Sequence, residues 1–215
     1  MKSQFTRTEL KEIEEQLSEF AAGFSGFVSW ARGEVVNEAA EGGQDLRWRA
    51  AFLAFAGKGR VETYRGVLEA NRYEIDSFLS EMIKTTHQEL DSWLNEAWNR
   101  VAADFEEAFP FLIEAYHKSY ASKGKGMMGR NFDDFLDERD LLEFFVIGVG
   151  DVFPTTEFCA HLFEEDCKVR EVIAELGLEN FEEEFFPGRI PWYPPRFWWH
   201  HRPEDRFPHP DSLET

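Results

Sequence analysis

The sequence predicts an all-α protein, a multi-helix bundle with an extended C-terminal arm rich in proline and aromatic residues. Three observations lead there. Apolar residues recur at three- and four-residue intervals over most of residues 1–186. No series of alternating, strand-like segments and no internal repeat interrupts them. Five of the nine prolines crowd into residues 187–203, where they deny helix and favour extended or polyproline II backbone. The expected organisation is an acidic helical domain over 1–186 and an arm over 187–215.

Thr6-Arg7-Thr8-Glu9 has the spacing of a capping box, in which hydroxyl and carboxylate satisfy the first free amides of a helix. Ile13, Leu17, Phe20, Phe24 and Phe27 follow as one apolar stripe, weakened at Gly23 and Gly26 and ended by Gly42-Gly43. A second helix is expected over 45–56, broken by Gly57-Lys58-Gly59. From Arg60 to Phe109 there is no proline and one glycine, Gly66. That length favours two helices meeting near Lys84–His87 over a single one. Pro110 kinks the path or opens a helix over 111–120. Residues 122–130 read as a glycine-rich loop, 132–147 as a helix, and 144–149 alternatively as a short strand. Pro154-Thr155-Thr156 opens a last helix reaching Leu176, stopped by Gly177.

Twenty-two Phe and seven Trp among 215 residues supply enough apolar area for a packed core, which excludes a disordered chain. The longest apolar run, 141–149, is too short for a bilayer and contains Glu143 and Gly148. The start, Met1-Lys2-Ser3-Gln4, passes directly into a charged helical pattern with no apolar signal region, so a cytoplasmic location is expected. Cys159 and Cys167 would stand about 12 Å apart on one helix, too far for a disulfide, and read as reduced thiols.

The formal charge is −19, from 23 basic and 42 acidic residues. Beyond Pro187 four arginines balance four acids, so the body carries the whole surplus. Such a field repels phosphate backbones and anionic membranes and attracts basic partners. Solubility is its simplest role, and mimicry of DNA charge toward a basic groove is another.

Candidate chemistry is sparse. Glu114 and His117 share the Glu-x-x-His spacing of di-iron bundles, but no second pair accompanies them and Glu114 points away from the apolar side of its helix. Glu157, His161 and Glu164 lie along one side of a helix and form the candidate metal set, since imidazole with carboxylates suits zinc or iron. Gly124-Lys-Gly-Met-Met-Gly129 matches a dinucleotide-type glycine pattern without the strand that pattern requires. Its cations Lys123, Lys125 and Arg130 leave an anion-binding loop as the candidate there. No nucleophile with a base and an orienting group can be singled out. Trp192, Tyr193, Arg196, Phe197, Trp198 and Trp199 of the arm have the composition of a partner-binding hot spot, and the same rings could instead seal a groove on their own body.

The reading expected from the sequence is a non-enzymatic protein-binding or regulatory protein, acting through its acidic helices and aromatic arm. A metal-dependent helical enzyme and a DNA-mimic inhibitor are the alternatives. No cofactor is implied. The expected partner is another protein with a basic surface, not nucleic acid or membrane, with homo-oligomerisation left open.

Overall fold

The structure, a computed structural model, describes residues 5–36, 43–121, 132–150, 152–175, 193–194 and 196–200. The glycine-rich loop with Lys123, Lys125 and Arg130 lies outside them, as does Trp192. The fold is all-α and multi-helical, as the periodicity predicts. The helices are α1 (Arg7–Val36), α2 (Gly43–Ala70), α3 (Ser77–Ala121), α4 (Phe132–Val149) and α5 (Thr156–Glu175), followed by a 3-10 turn at Trp198–His200. Among the described residues no helix is long and apolar enough to cross a membrane.

The chain divides into two compact units, Met1–Phe109 with Leu142–Thr155, and Pro110–Leu141 with Thr156–Thr215. The first division falls inside α3, at Pro110, and the second inside α4. The described arm residues, 193–194 and 196–200, fall in unit 2.

In unit 1 the capping box forms as its spacing requires. Thr6 N–H donates to Glu9 Oε2 at 2.6 Å and Glu9 N–H donates to Thr6 Oγ1 at 3.3 Å. Leu10, Ile13, Leu17, Ala21, Phe24, Val28 and Ala31 form the buried seam of α1, which packs along α2. Their spacing averages 3.5 residues, so Phe20 and Phe27 fall half-buried at the seam's margin. Phe20 is used there, with Tyr64 edge-on at 4.8 Å and the Arg60 guanidinium over it at 4.6 Å.

Two helix boundaries differ from the sequence reading. Gly57 and Gly59 do not break α2. A Cβ on Gly59 would stand 1.9 Å from the Phe144 carbonyl oxygen, and one on Gly148 would stand 1.8 Å from that of Phe55. The two glycines let α2 and α4 touch backbone to backbone, a contact closer than any larger residue permits. Residues 144–149, the alternative strand, are the α4 side of that contact and are helical. Gly57 likewise fits against Phe24 of α1, 3.2 Å from where its Cβ would be.

The second difference is the break between α2 and α3. It lies at residues 71–76, while Lys84–His87 run uninterrupted within α3. Arg72 takes the left-handed conformation at φ 56°, Arg72 N–H donates to Glu69 C=O at 2.9 Å, and Tyr73 N–H donates to Leu68 C=O at 3.0 Å. This is a Schellman stop built without glycine. Asp76 then caps α3 by accepting from the N–H groups of Phe78 and Leu79. Glu14 of α1 fixes the turn, accepting from Asp76 N–H at 2.8 Å and from the Tyr73 hydroxyl at 2.9 Å. Pro110 neither ends nor begins a helix; α3 continues through it for 45 residues in all.

Gly59→Ala forces α2 and α4 apart and is expected to cost about 3 kcal/mol or more. Gly66→Ala, a helical position with nothing within 4 Å of the added Cβ, gains roughly 0.5–1 kcal/mol. Denaturant unfolding of the two single variants reads both signs, and equal effects would refute the packing role of Gly59.

Candidate functional site

A polar assembly of buried charged side chains stands in unit 2. It is built from the last turns of α3, the middle of α4, the middle of α5 and the arm. Arg139 and Asp166 form its centre, with side chains 5% and 6% exposed. Arg139 Nε donates to Asp166 Oδ1 and Nη2 donates to Oδ2, each at 2.9 Å, so the guanidinium and carboxylate meet as two forks. The Tyr116 hydroxyl adds a third bond to Asp166 Oδ1 at 2.7 Å. Burial first, then the Asp166 charge, pushes the Tyr116 phenol well above its ordinary value, so it stays protonated and serves as donor.

The arm closes over this centre. The Arg139 guanidinium carbon lies 4.1 Å from the centroid of the Trp199 ring, within stacking range. Trp199 Nε1–H donates to Asp140 Oδ1 at 2.7 Å, and His200 Nε2 reaches the same oxygen at 2.7 Å. Tyr193, Phe197, Trp199 and His200 are buried, with Tyr193 4.7 Å from the Phe197 ring and 4.7 Å from that of His200. The 3-10 turn that presents them is held by Phe197 N–H to Pro194 C=O at 2.9 Å and His200 N–H to Phe197 C=O at 3.0 Å.

A second cluster stands beside Asp166, on Glu165. Its carboxylate accepts from the Tyr120 hydroxyl, from His117 Nδ1 at 2.8 Å and from Lys168 Nζ. Burial raises the Glu165 carboxyl, but the hydrogen bonds from Lys168, Tyr120 and His117 outweigh it and bring it down to about 2. Burial and the same carboxylate raise the Tyr120 phenol.

Several candidates from the sequence find their places. Tyr193, Phe197 and Trp199 of the arm are covered by their own chain, whereas Arg196 is exposed; Trp198 lies in the 3-10 turn. Glu157, His161 and Glu164 are all on the exposed side of α5. Among the described residues no group of three His, Cys, Asp or Glu side chains is placed to hold a metal ion. Glu114 is exposed and pairs with Lys118 at 2.6 Å, while His117 turns to Glu165. The sequence reading missed Arg139, Asp140, Glu165 and Asp166. One signal was available: Glu165 follows Phe158 by seven residues and so falls within about 20° of it around the helix. A charge in the centre of an apolar stripe marks a buried partner.

Comparison with models of known protein families, with curated proteins and with solved structures finds no match.

Trp199→Ala removes the stacked ring and one of the two partners of Asp140 Oδ1, with an expected cost of about 3 kcal/mol or more; Trp199→Phe, which keeps a ring but lacks the N–H, costs about 1 kcal/mol. Denaturant unfolding monitored on unit 2 measures both, and wild-type stability for Trp199→Ala would show the arm contributes nothing. Because the Glu165 carboxyl is lowered from 4.5 to about 2 on folding, its stabilisation is complete above pH 4.5 and is lost as pH falls toward 2. Glu165→Gln is expected to flatten stability across that window in an acid titration followed by circular dichroism.

Proposed function

We propose that this protein is a non-enzymatic binding or regulatory protein whose acidic helices engage a basic surface of another protein, with the aromatic arm acting inside the chain as a clasp. The distribution of charge carries this reading. Among the described residues of unit 2, three buried acids are met within the chain: Asp166 by Arg139 and Tyr116, Asp140 by Trp199 and His200, Glu165 by Lys168, Tyr120 and His117. On α1, Glu9, Glu12, Glu15 and Glu19 stand exposed, with Glu9 bonded to Thr6 and Glu15 paired with Lys11 at the surface. The chain as a whole carries −19, so its outward field favours cations.

Near neutral pH the Glu165 carboxyl, near 2, and the Tyr120 phenol, raised above its ordinary value, each stay in one protonation state, so these two groups do not act as proton shuttles.

The test is chemical cross-linking with mass spectrometry in lysate of the native cells, with wild type and a Glu12→Lys/Glu15→Lys/Glu19→Lys variant, at low and moderate salt. The expected partners are basic proteins, lost with salt and with charge reversal. Partners retained unchanged under both treatments would remove the acidic surface from the account.

A further inference from the structure

Unit 1 has a feature that neither the core nor the clasp uses. Between α1 and α3 runs a groove of about 270 Å³, lined by Ser25, Phe78, Glu81, Met82, Thr85 and Glu89 among others. Phe78 is 78% exposed, the most exposed large apolar side chain among the described residues. Phe78, Met82, Thr85 and Glu89 follow one another at four, three and four residues, so they occupy one face of α3. The face is about 16 Å long, three helical turns.

We propose that this groove receives an amphipathic, basic helix of a partner protein, which lays its apolar side on Phe78 and Met82 and its cations on Glu81 and Glu89. The inference rests on the acidic-surface reading above and gives that surface an address. Charge selects the occupant. Glu81 and Glu89 flank the apolar patch about 12 Å apart along α3, the distance between two side chains seven or eight residues apart on a helix. Their present partners do not hold them firmly. Glu81 meets Lys84 at 3.2 Å with both side chains more than 60% exposed, and Glu89 meets Arg32 at 3.8 Å. Exposed pairs of this kind contribute little, so an incoming lysine or arginine can take either carboxylate over.

The opposite wall fits a helix as well. There α1 contributes Ser25, half-buried. Its small side chain allows a third helix to approach closely, in the helix-in-groove mode.

The probe is a synthetic three-turn helix with a central leucine pair between lysines about seven residues apart, against a scrambled peptide of equal charge. Binding to the full chain is followed by fluorescence anisotropy at low salt. Phe78→Ser, a change at an exposed position, is expected to weaken the patterned peptide roughly tenfold and leave the scrambled one unaffected. Glu81→Gln/Glu89→Gln is expected to weaken the patterned peptide and flatten its salt dependence. Salt-dependent binding of both peptides that ignores Phe78 overturns the groove while the acidic-surface reading stands. Absence of binding by either peptide at low salt overturns both.

Discussion

Unit 2 depends on keeping one guanidinium out of water. Moving the charge of Arg139 to a place only 5% exposed carries a desolvation cost of several kcal/mol, which a single counter-ion rarely offsets. Here the load is spread. Asp166 supplies the opposite charge in fork geometry, Tyr116 satisfies a remaining lone pair of that carboxylate, and Trp199 presents a π face to the cation. Each partner comes from a different segment: α5, α3 and the arm. An ion pair served by three segments at once ties them into a single arrangement, because loss of Asp166 leaves the Arg139 charge unmatched and loss of Tyr116 or Trp199 strips the pair of a hydrogen bond or its aromatic cover. Asp140, the next residue on α4, fixes the angle at which the arm arrives by accepting from both Trp199 and His200.

Unit 1 is organised by a different constraint, the close approach of α2 and α4 at Gly59 and Gly148. The contrast explains why parts of the fold were legible in the sequence and others were not. The capping box at Thr6–Glu9 and the α1 stripe are local patterns, decided by neighbours within one turn, and they stand in the structure. Glycine is ambiguous in one dimension. Gly57 and Gly59 have the composition of a helix break, and only the facing Phe24 of α1 and the backbone of α4 show that they are contact points. The true break carries no glycine at all, since Arg72 adopts the left-handed backbone and Glu14, some sixty residues earlier, secures the turn. Long-range stabilisation of that kind leaves almost no local trace.

The candidate site divides in the same way. The aromatic residues of the arm announced that they must cover something, and Tyr193, Phe197 and Trp199 do. What they cover was hidden, because a buried ion pair between α4 and α5 looks in sequence like two more charges in a chain that has many. Arg139 and Asp166 are 27 residues apart and separated by a loop and a helix start. Glu165 was the exception, a charge at the centre of the Phe158–Leu162–Val169 stripe. In a protein with 42 acidic residues, the informative ones are those that interrupt an apolar period.

The interleaving of the two units along the chain sets an order of events during synthesis. All segments of unit 1 have been made once Thr155 is in place, whereas unit 2 lacks its clasp until Trp199 and His200 emerge. At ribosomal speeds the intervening stretch takes roughly 2–9 s, far longer than a helical unit of low contact order needs to collapse. Unit 1 is therefore folded on the nascent chain while Arg139 still waits for its aromatic cover. During that interval the second half of the protein is the vulnerable one, with the ends of α3, α4 and α5 made but not yet locked. A chaperone or protease that samples this chain at birth meets it there.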